Sequence, residues 1–321
     1  MDAQRLPGGV TAPVAARAFD AATSSTPPAG AEVARPRFTV VVPALNEAAV
    51  LAACLSSLAA QEVEGLVEVI VVDNASTDRT AEIARDHGAT VVVEPRRGVC
   101  AARQRGTEAA HGEIVVSTDA DTVFAPHWLA GIDAHFTADD STVMVAGPAR
   151  FVDAPVWARV YPKLLFGASS FAARRRGRPF YVTACNLAFR KSAWDGYNTN
   201  LTQAGDELDL LRRIKPKGRV VFDNSNPTFT SARRLKRGLL YNFFVTFLTY
   251  YFIEFVVGRF TGRSLFGSYP ALRTTSEINR GRSLRRAVAV AAVAAIGLLT
   301  PVSAVLADWG GEVGHTVLRA L

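Results

Sequence analysis

The feature that most constrains the fold is an alternation of strand-like and helix-like segments between residues 38 and 121. The strand-like segments are short, apolar and rich in β-branched residues, whereas the helix-like segments repeat apolar residues at intervals of three and four. Near-continuous apolar strands indicate a sheet covered on both faces, so we predict an α/β fold with a Rossmann-like, doubly wound, mostly parallel sheet. The predicted strands are 38–43, 67–72, 90–93 and 113–117, and the predicted helices are 48–60, 80–86 and 98–110.

Polar side chains follow three of these strands at the point where each strand ends. Asn46 and Glu47 come after the first strand, Asp73 after the second, and Asp119 and Asp121 after the fourth. In an open parallel sheet, ligands bind beyond the carboxyl ends of the strands. One acidic residue in such a place is an ordinary loop or capping residue. Three strand ends of this kind on one edge predict a binding site there.

The pattern after residue 140 is less regular. We expect a strand at 143–146, a strand-like piece within 181–189 and a helix at 205–213, whose acidic first turn and basic end suit the helix dipole. Four arginines between residues 174 and 178 are expected to lie in a loop.

The two ends of the chain differ from its centre. Residues 1–36 are rich in Ala, Pro, Ser and Thr and have no apolar run, which predicts a disordered lead-in rather than a signal peptide. Residues 287–307 carry no charge and at ~1.5 Å per residue span ~30 Å, which predicts a transmembrane helix. Arginines precede this segment, so the positive-inside rule predicts that the folded part lies at the inner face of the cytoplasmic membrane.

An aromatic segment at 239–258 has two competing interpretations. If it crossed the membrane, the Arg-rich residues 259–286 would lie outside, against the charge rule, so we favour a helix lying in the lipid headgroups. A buried helix of a soluble domain stays open as well. The predicted divisions are 1–36 (lead-in), 37–232 (folded domain, with halves 37–125 and 126–232), 233–286 (basic and aromatic membrane-interface segment), 287–307 (transmembrane helix) and 308–321 (tail).

Charge and cysteine content exclude several classes of function. The formal net charge of +7 suits an anionic partner, but the arginines cluster beside apolar segments rather than among stacking aromatic residues on a sheet. No nucleic-acid partner is therefore expected. Cys54, Cys100 and Cys185 are widely spaced and form no C-x-x-C pair, so neither a disulfide framework nor a zinc site is expected.

Residues 38–121 resemble the nucleotide-binding half of glycosyltransferase family 2, which has the GT-A fold. The resemblance implies an inverting, metal-dependent, hexosyltransferase-like enzyme that uses Mg²⁺ or Mn²⁺ and a UDP- or GDP-linked sugar. Together with the membrane segments, it leads us to expect a membrane-associated acceptor, either a lipid or a cell-envelope glycan. The segments that carry the resemblance are 42–47, 72–78, 98–103 and 119–121 and, less firmly, 186–190 and 205–213.

The same resemblance implies roles for individual residues. Asp121 would be the direct metal ligand, Asp119 would meet the ribose or the sugar and help to hold the metal, and Asp73 would accept a hydrogen bond from the base. The other nucleotide-binding positions would be Pro43, Ala44 and Glu47, which line the pocket, and Arg103, near the base or the diphosphate.

The general base is implied less directly. The family usually supplies it from a Glu-Asp pair that opens a helix, whereas this chain has Asp206-Glu207. Alignment backwards from Leu210 puts Glu207 at the base position, with Asp206 as the contender. A further alternative is that both residues only complement the helix N-terminus.

Two other functions compete with this one. A sugar nucleotidyltransferase would carry a glycine-rich phosphate loop after the first strand, and residues 43–47 contain no glycine. A membrane-tethered nucleotide-sugar binding protein that has lost catalysis is disfavoured by the intact Asp119 and Asp121 pair, and favoured only by the reversed order of Asp206 and Glu207.

Overall fold

The computed structural model describes residues 35–155, 158, 160–199, 206–233 and 235–237. The chain divides after Ala232 into two compact units, and the elements described below belong to the first. The predicted lead-in lies almost wholly outside the described residues, and the segments 239–258 and 287–307 lie wholly outside them. Within the described part of the chain, no helix is long and apolar enough to cross a membrane.

The first half of this unit alternates strands and helices as predicted. Strands β1, β2, β3 and β4 pair in parallel in the order β3-β2-β1-β4, so the predicted parallel sheet is confirmed here. The elements are β1 (Phe38–Ala44), α1 (Leu51–Ala59), β2 (Val67–Asp73), α2 (Thr80–Asp86), β3 (Thr90–Val93), α3 (Val99–Ala109) and β4 (Ile114–Ser117).

The second half extends the sheet and adds a smaller one. Its elements are β5 (Thr122–Val123), α4 (Trp128–Ala138), β6 (Thr142–Ala146), β7 (Ala149–Val152), α5 (Val160–Arg176), β8 (Leu187–Arg190), α6 (Asp206–Ile214), β9 (Arg219–Phe222) and β10 (Thr228–Ser231). Strand β8 runs antiparallel between β4 and β6, and β9 closes the seven-stranded sheet. The large sheet is therefore mixed, and β5, β10 and β7 form a separate three-stranded sheet.

Helix α5 corrects one sequence prediction. Arg174, Arg175 and Arg176 form the last turn of this 17-residue helix rather than a loop. Cationic side chains at a helix C-terminus are favoured by the partial negative charge of its unpaired carbonyl groups. Pro162 falls in the first turn, where a missing N–H costs nothing. Proline, glycine and serine within the helix hid its periodicity in the sequence.

The large sheet is buried on both faces. Phe38, Val40 and Val42 of β1 pack into one apolar cluster with Trp128 of α4, and Val41 points into the opposite cluster, as the alternation of a strand requires. Helix α3 packs so closely against β1 and β2 that a Cβ at Gly106 would lie 2.7 Å from Val72 Cγ2.

Candidate active site

The loops that follow β1 and β2 are joined by hydrogen bonds. Asn46 has a positive φ of 54°. Its backbone N–H donates to Ser76 Oγ at 3.0 Å, and its Oδ1 accepts from the Thr77 N–H at 2.6 Å. The Glu47 N–H donates to Thr80 Oγ1 at 2.9 Å. These contacts give the residues after β1 a fixed backbone next to β2.

Asp73 lies at the end of β2, opposite Ala44 of β1, and Pro43 pairs with Val72 one step earlier. Its Oδ1 accepts from the Ser76 N–H at 3.0 Å. This turn fixes the orientation of the half-buried carboxylate. Pro43, Ala44 and Asp73 thus lie together at the carboxyl edge of the sheet, where the sequence places a ligand.

The buried side chain of Asn74 joins a third loop to the same edge. Its Nδ2 donates to the carbonyl oxygens of Glu94 and Arg96 at 2.8 and 2.7 Å, and its Oδ1 accepts from the Gly98 N–H at 2.8 Å. The loop from β3 to α3 is therefore held against the end of β2, and the start of α3 is fixed relative to Asp73.

Asp119 and Asp121 lie in the turn between β4 and β5. The Thr122 N–H closes this turn on the Asp119 carbonyl at 3.2 Å. Thr230 of β10 donates to Asp121 Oδ1 at 3.2 Å, and β10 pairs with β5 in the small sheet. The buried Cys54 thiol lies 3.7 Å from the Asp119 carbonyl oxygen. Burial raises the pKa of Cys54, and the two carboxylates raise it further, so the thiol stays protonated and donates to that carbonyl.

Arg103 of α3 connects this turn to the second half of the domain. Its buried guanidinium donates to Asp119 Oδ1 at 2.7 Å, to Asp206 Oδ2 at 2.6 Å and to Ser117 Oγ at 3.1 Å. Burial opposes the charged form, but the two carboxylates outweigh it and raise the pKa of Arg103 above its ordinary value. Arg103 is thus a permanent cation that links Asp119 to the first residue of α6.

Asp206 and Glu207 begin α6 and are both buried, with 3% and 9% of their surface exposed. Burial works against the Asp206 carboxylate, but Arg103 and a hydrogen bond with Glu207 lower the pKa of Asp206. Burial, repulsion from Asp206 and the same hydrogen bond raise the pKa of Glu207 well above its ordinary value. Between the pKa values of the two carboxyl groups, the pair therefore holds one proton, and Glu207 carries it.

Tyr197 lies on the same buried cluster. Burial raises the pKa of Tyr197, and its hydroxyl is hydrogen-bonded to Ser117, the residue that also contacts Arg103. Its backbone N–H donates to Gln104 Oε1 at 2.6 Å, next to Gly196, whose φ is +107°. Tyr197 is thereby held against α3 by its backbone and against β4 by its side chain.

The carboxylates of Asp119 and Asp121 fit a metal site that is completed by a bound ligand, rather than one formed by protein side chains alone. Among the described residues, no group of three or more His, Cys, Asp or Glu side chains is placed to hold a metal ion. Asp119 and Asp121 offer carboxylate oxygens, which Mg²⁺ and Mn²⁺ prefer. Mg²⁺ is commonly held by one or two carboxylates together with substrate phosphates and water. The pair therefore fits an ion whose coordination a nucleoside diphosphate completes.

The structure brings the sequence-predicted residues to one edge of the domain, where they form two groups. Asp73, Pro43, Ala44 and Glu47 surround the ends of β1 and β2, and Arg103 joins Asp119 to Asp206. Sequence reasoning missed Asn74, Ser117, Tyr197 and Thr230. Asn74 gave a usable signal, since it follows Asp73 directly. The other three are common residue types whose contacts depend on distant parts of the chain.

Comparisons with known proteins identify the family of this chain. A family model described as "Glycosyl transferase family 2" matches residues 39–196. An uncharacterised glycosyltransferase of Mycobacterium tuberculosis is 36% identical over 188 residues, which cover 57% of this chain and 81% of that protein.

Two solved structures share the fold. A mannosyltransferase from Pyrobaculum calidifontis in complex with GDP-Man and Mn²⁺ is 27% identical, with a TM-score of 0.50 over 62% of this chain and 58% of that one. S. aureus TarS 1-349 in complex with UDP-GlcNAc is 21% identical, with a TM-score of 0.51 over 61% and 59% of the two chains. This chain therefore spans less than two thirds of either solved protein. The family model, the mycobacterial relative and the shared fold agree: this chain belongs to glycosyltransferase family 2 and is a glycosyltransferase.

Proposed function

We propose that the protein is an inverting, metal-dependent glycosyltransferase that moves a sugar from a UDP- or GDP-linked donor to a membrane-associated acceptor, either a lipid or a cell-envelope glycan. One observation carries the proposal. The buried guanidinium of Arg103 joins Asp119, at the carboxyl edge of the sheet, to Asp206, which precedes Glu207 in α6. The proposed donor-binding carboxylate is thereby linked to the residue that adjoins the proposed base.

The donor would bind over the ends of β1 and β2. Asp73 would accept a hydrogen bond from the base, and Pro43, Ala44 and Glu47 would line the nucleotide pocket. The hydrogen bonds between the two loops hold these positions before the donor arrives, which lowers the entropy cost of binding. The related structures with GDP-Man and UDP-GlcNAc support a nucleotide-sugar donor of either base.

Asp121 would be the direct ligand of Mg²⁺ or Mn²⁺, and Asp119 would contact the ion or the donor sugar. Thr230 orients the first carboxylate and Arg103 the second. When bound, the ion would neutralise charge that develops on the leaving diphosphate. The Mn²⁺ complex of the mannosyltransferase supports such an ion.

Glu207 would take the proton from the acceptor hydroxyl, with Asp206 as its positioning partner. Inversion needs one base and no nucleophile on the protein, because the acceptor attacks the sugar directly. Asp206 is bound to Arg103, and protonation there would break a buried ion pair. The pKa of Glu207 is raised, so its ionised form is a stronger base than an ordinary glutamate.

The membrane assignment rests on the sequence beyond the described residues. The basic segment 233–286 would lie on the lipid surface and 287–307 would anchor the chain, with the catalytic domain at the inner face of the cytoplasmic membrane.

A donor panel with a matched pair of variants tests the function. Each UDP- and GDP-linked sugar is incubated with the full chain, with and without Mn²⁺, and nucleoside diphosphate release is measured. Asp121→Asn should abolish metal-dependent release, whereas Asp140→Asn, a change at a fully exposed carboxylate, should not. Full activity of Asp121→Asn, or equal activity after metal removal, would refute metal dependence. NMR of the product then reads the anomeric configuration, and a retained configuration would refute inversion.

A further inference from the structure

Helix α5 carries an exposed apolar face on the catalytic domain itself. Val160, Leu164 and Phe171 are 57%, 68% and 57% exposed, and at ~100° per residue they fall within about 40° of one another around the helix. Gly167 lies on the same side, and a Cβ there would meet no atom within 4 Å. We call these four residues the outer face of α5.

The opposite side of α5 is packed normally, so the outer face is not a consequence of a loosely placed helix. Phe166 stacks on Phe222 of β9, with ring centroids 6.3 Å apart, and contacts Tyr181 at 5.8 Å. The buried Ser169 hydroxyl donates to the Tyr181 carbonyl at 2.6 Å. A helix that presents large apolar residues on its outer side as well as to the core needs a second apolar environment besides the protein core.

This concentration of exposed apolar residues is local. Six large apolar residues are exposed in the described part of the chain, and four of them, counting Phe180, lie between residues 160 and 180. Isolated exposed apolar residues need no explanation, but a contiguous patch with a charged rim marks an interaction surface.

The exposed charged residues of α5 and of the loop that follows it are basic. Lys163, Arg174, Arg175 and Arg178 are exposed, and the Arg175 guanidinium lies 5.7 Å from the centre of the Phe171 ring. The sequence from Ala154 to Trp194 contains no Asp or Glu. Apolar residues on one face with Lys and Arg around them are typical of helices that lie in the headgroup region of anionic membranes.

Charge disfavours a second copy of this chain as the occupant. A two-fold contact would bring the same basic rim against itself, and like charges in contact oppose binding. An anionic lipid surface complements both the apolar face and its rim.

We infer that the outer face of α5 lies on an anionic lipid bilayer and that the arginines at its C-terminal end contact the lipid phosphates. The inference rests on the proposed membrane association and adds a second contact, made by the catalytic domain. The chain returns from α5 to Cys185, whose carbonyl accepts from Thr118 beside Asp119. Nine residues reach at most ~30 Å, so a bilayer at α5 would bring a lipid-linked acceptor near the site.

A nitroxide label on the outer face tests this lipid contact in the full chain. A measurement of membrane partitioning would not test it, because any other membrane anchor in the chain would also cause partitioning. The three native cysteines are buried, so Leu164→Cys can be labelled selectively, with Arg85→Cys on the exposed side of α2 as the matched control. In nanodiscs containing phosphatidylglycerol, we expect the label at 164 to collide more with oxygen than with a water-soluble nickel chelate. The control label should show the opposite preference.

Two outcomes would overturn the inference. If both labels are equally open to the nickel chelate, the outer face lies in water. If the label at 164 is protected from oxygen and nickel alike, protein covers it, either another part of this chain or a second copy. Reversing the rim charges with Arg174→Glu and Arg175→Glu should weaken contact with anionic lipid by about fivefold or more for each arginine lost. Arg85→Glu should leave it unchanged.

These measurements need no turnover, so they are independent of the proposed chemistry. Donor hydrolysis in detergent should be the same for wild type and the α5 variants, since α5 contributes no residue to the candidate site. Absence of hydrolysis in every protein would refute the proposed function and leave the lipid contact standing. A water-exposed label together with normal hydrolysis would refute the lipid contact alone.

Discussion

Replacing Arg103 with methionine tests the link between the two halves of the site. The substitution keeps a long, unbranched side chain at this position of α3 but removes the donors to Asp119, Asp206 and Ser117. Asp206 is 3% exposed, so water cannot replace the lost guanidinium. The variant must either bury an unpaired carboxylate or protonate it.

The size of the effect follows from that choice. Removing one partner of a buried ion pair costs about 3–5 kcal/mol. Protonation of Asp206 sets an upper limit on the free-energy cost of losing this ion pair. The limit is about 1.4 kcal/mol for each pH unit above the ordinary Asp pKa of 3.8. At pH 7 that limit is ~4 kcal/mol, and at pH 5 it falls to below ~2 kcal/mol. We therefore expect Arg103→Met to lower the free energy of unfolding by about 3–4 kcal/mol at pH 7 and by clearly less at pH 5.

Unfolding in guanidinium chloride, followed by near-UV circular dichroism, measures this loss of stability at both pH values. Arg105→Met, at an exposed position of the same helix, controls for changes in helix propensity and should be close to neutral. The double variant Arg103→Met with Asp206→Asn should be more stable than Arg103→Met at pH 7, because it removes the unpaired charge. A cost that is the same at both pH values, or no recovery in the double variant, would refute this account of the pair.

Three further predictions concern the same site. The acid limb of kcat/KM should lie well above the ordinary Glu pKa of 4.5, and Asp206→Asn should move it to lower pH by removing the charge that raises the pKa of Glu207; a pH profile with an unmoved limb contradicts this. Glu207→Gln should be inactive yet more stable than wild type in urea at pH 8. The folded pKa of Glu207 is raised, so the wild type loses stability as pH rises from about 4.5 to that pKa, at about 1.4 kcal/mol per unit; lower stability of the variant would be evidence against a protonated Glu207. Thr230→Val, which removes the donor to Asp121, should weaken Mn²⁺ affinity about 10-fold in calorimetry with nucleoside diphosphate present; Thr228→Val on the same strand should not, and equal affinities would show that Thr230 does not position the carboxylate.

The first half of the domain could be predicted because its signals are local. Each strand from β1 to β4 is a short apolar run, and the carboxyl ends of parallel strands share one edge. The placement of Asp73, Asp119 and Asp121 at that edge follows from the order of elements alone. Helix boundaries at α1 and α3 shifted by one to three residues, which does not alter the placement of the site.

The second half could not be predicted in the same way because its contacts are long-range. Asp206 is 103 residues from Arg103, and Thr230 is 109 residues from Asp121. No periodicity in the sequence reports such a pairing. The antiparallel insertion of β8 between β4 and β6 is likewise a tertiary choice, because a four-residue apolar strand suits either direction. Helix α5 escaped prediction because its outer face is apolar where an ordinary surface helix is polar.

The reversed order of the acidic pair gains a physical meaning from Arg103. A buried ion pair adds little to stability compared with apolar packing of the same volume, so the Arg103–Asp206 pair is better explained by what it does to its neighbours. It keeps Asp206 ionised at the start of α6, where the helix dipole also favours an anion. That fixed charge, with burial, forces the proton onto Glu207. Two adjacent carboxyl groups thus differ in charge because one of them contacts Arg103, and the residue that carries the exchangeable proton is the one that the guanidinium does not contact.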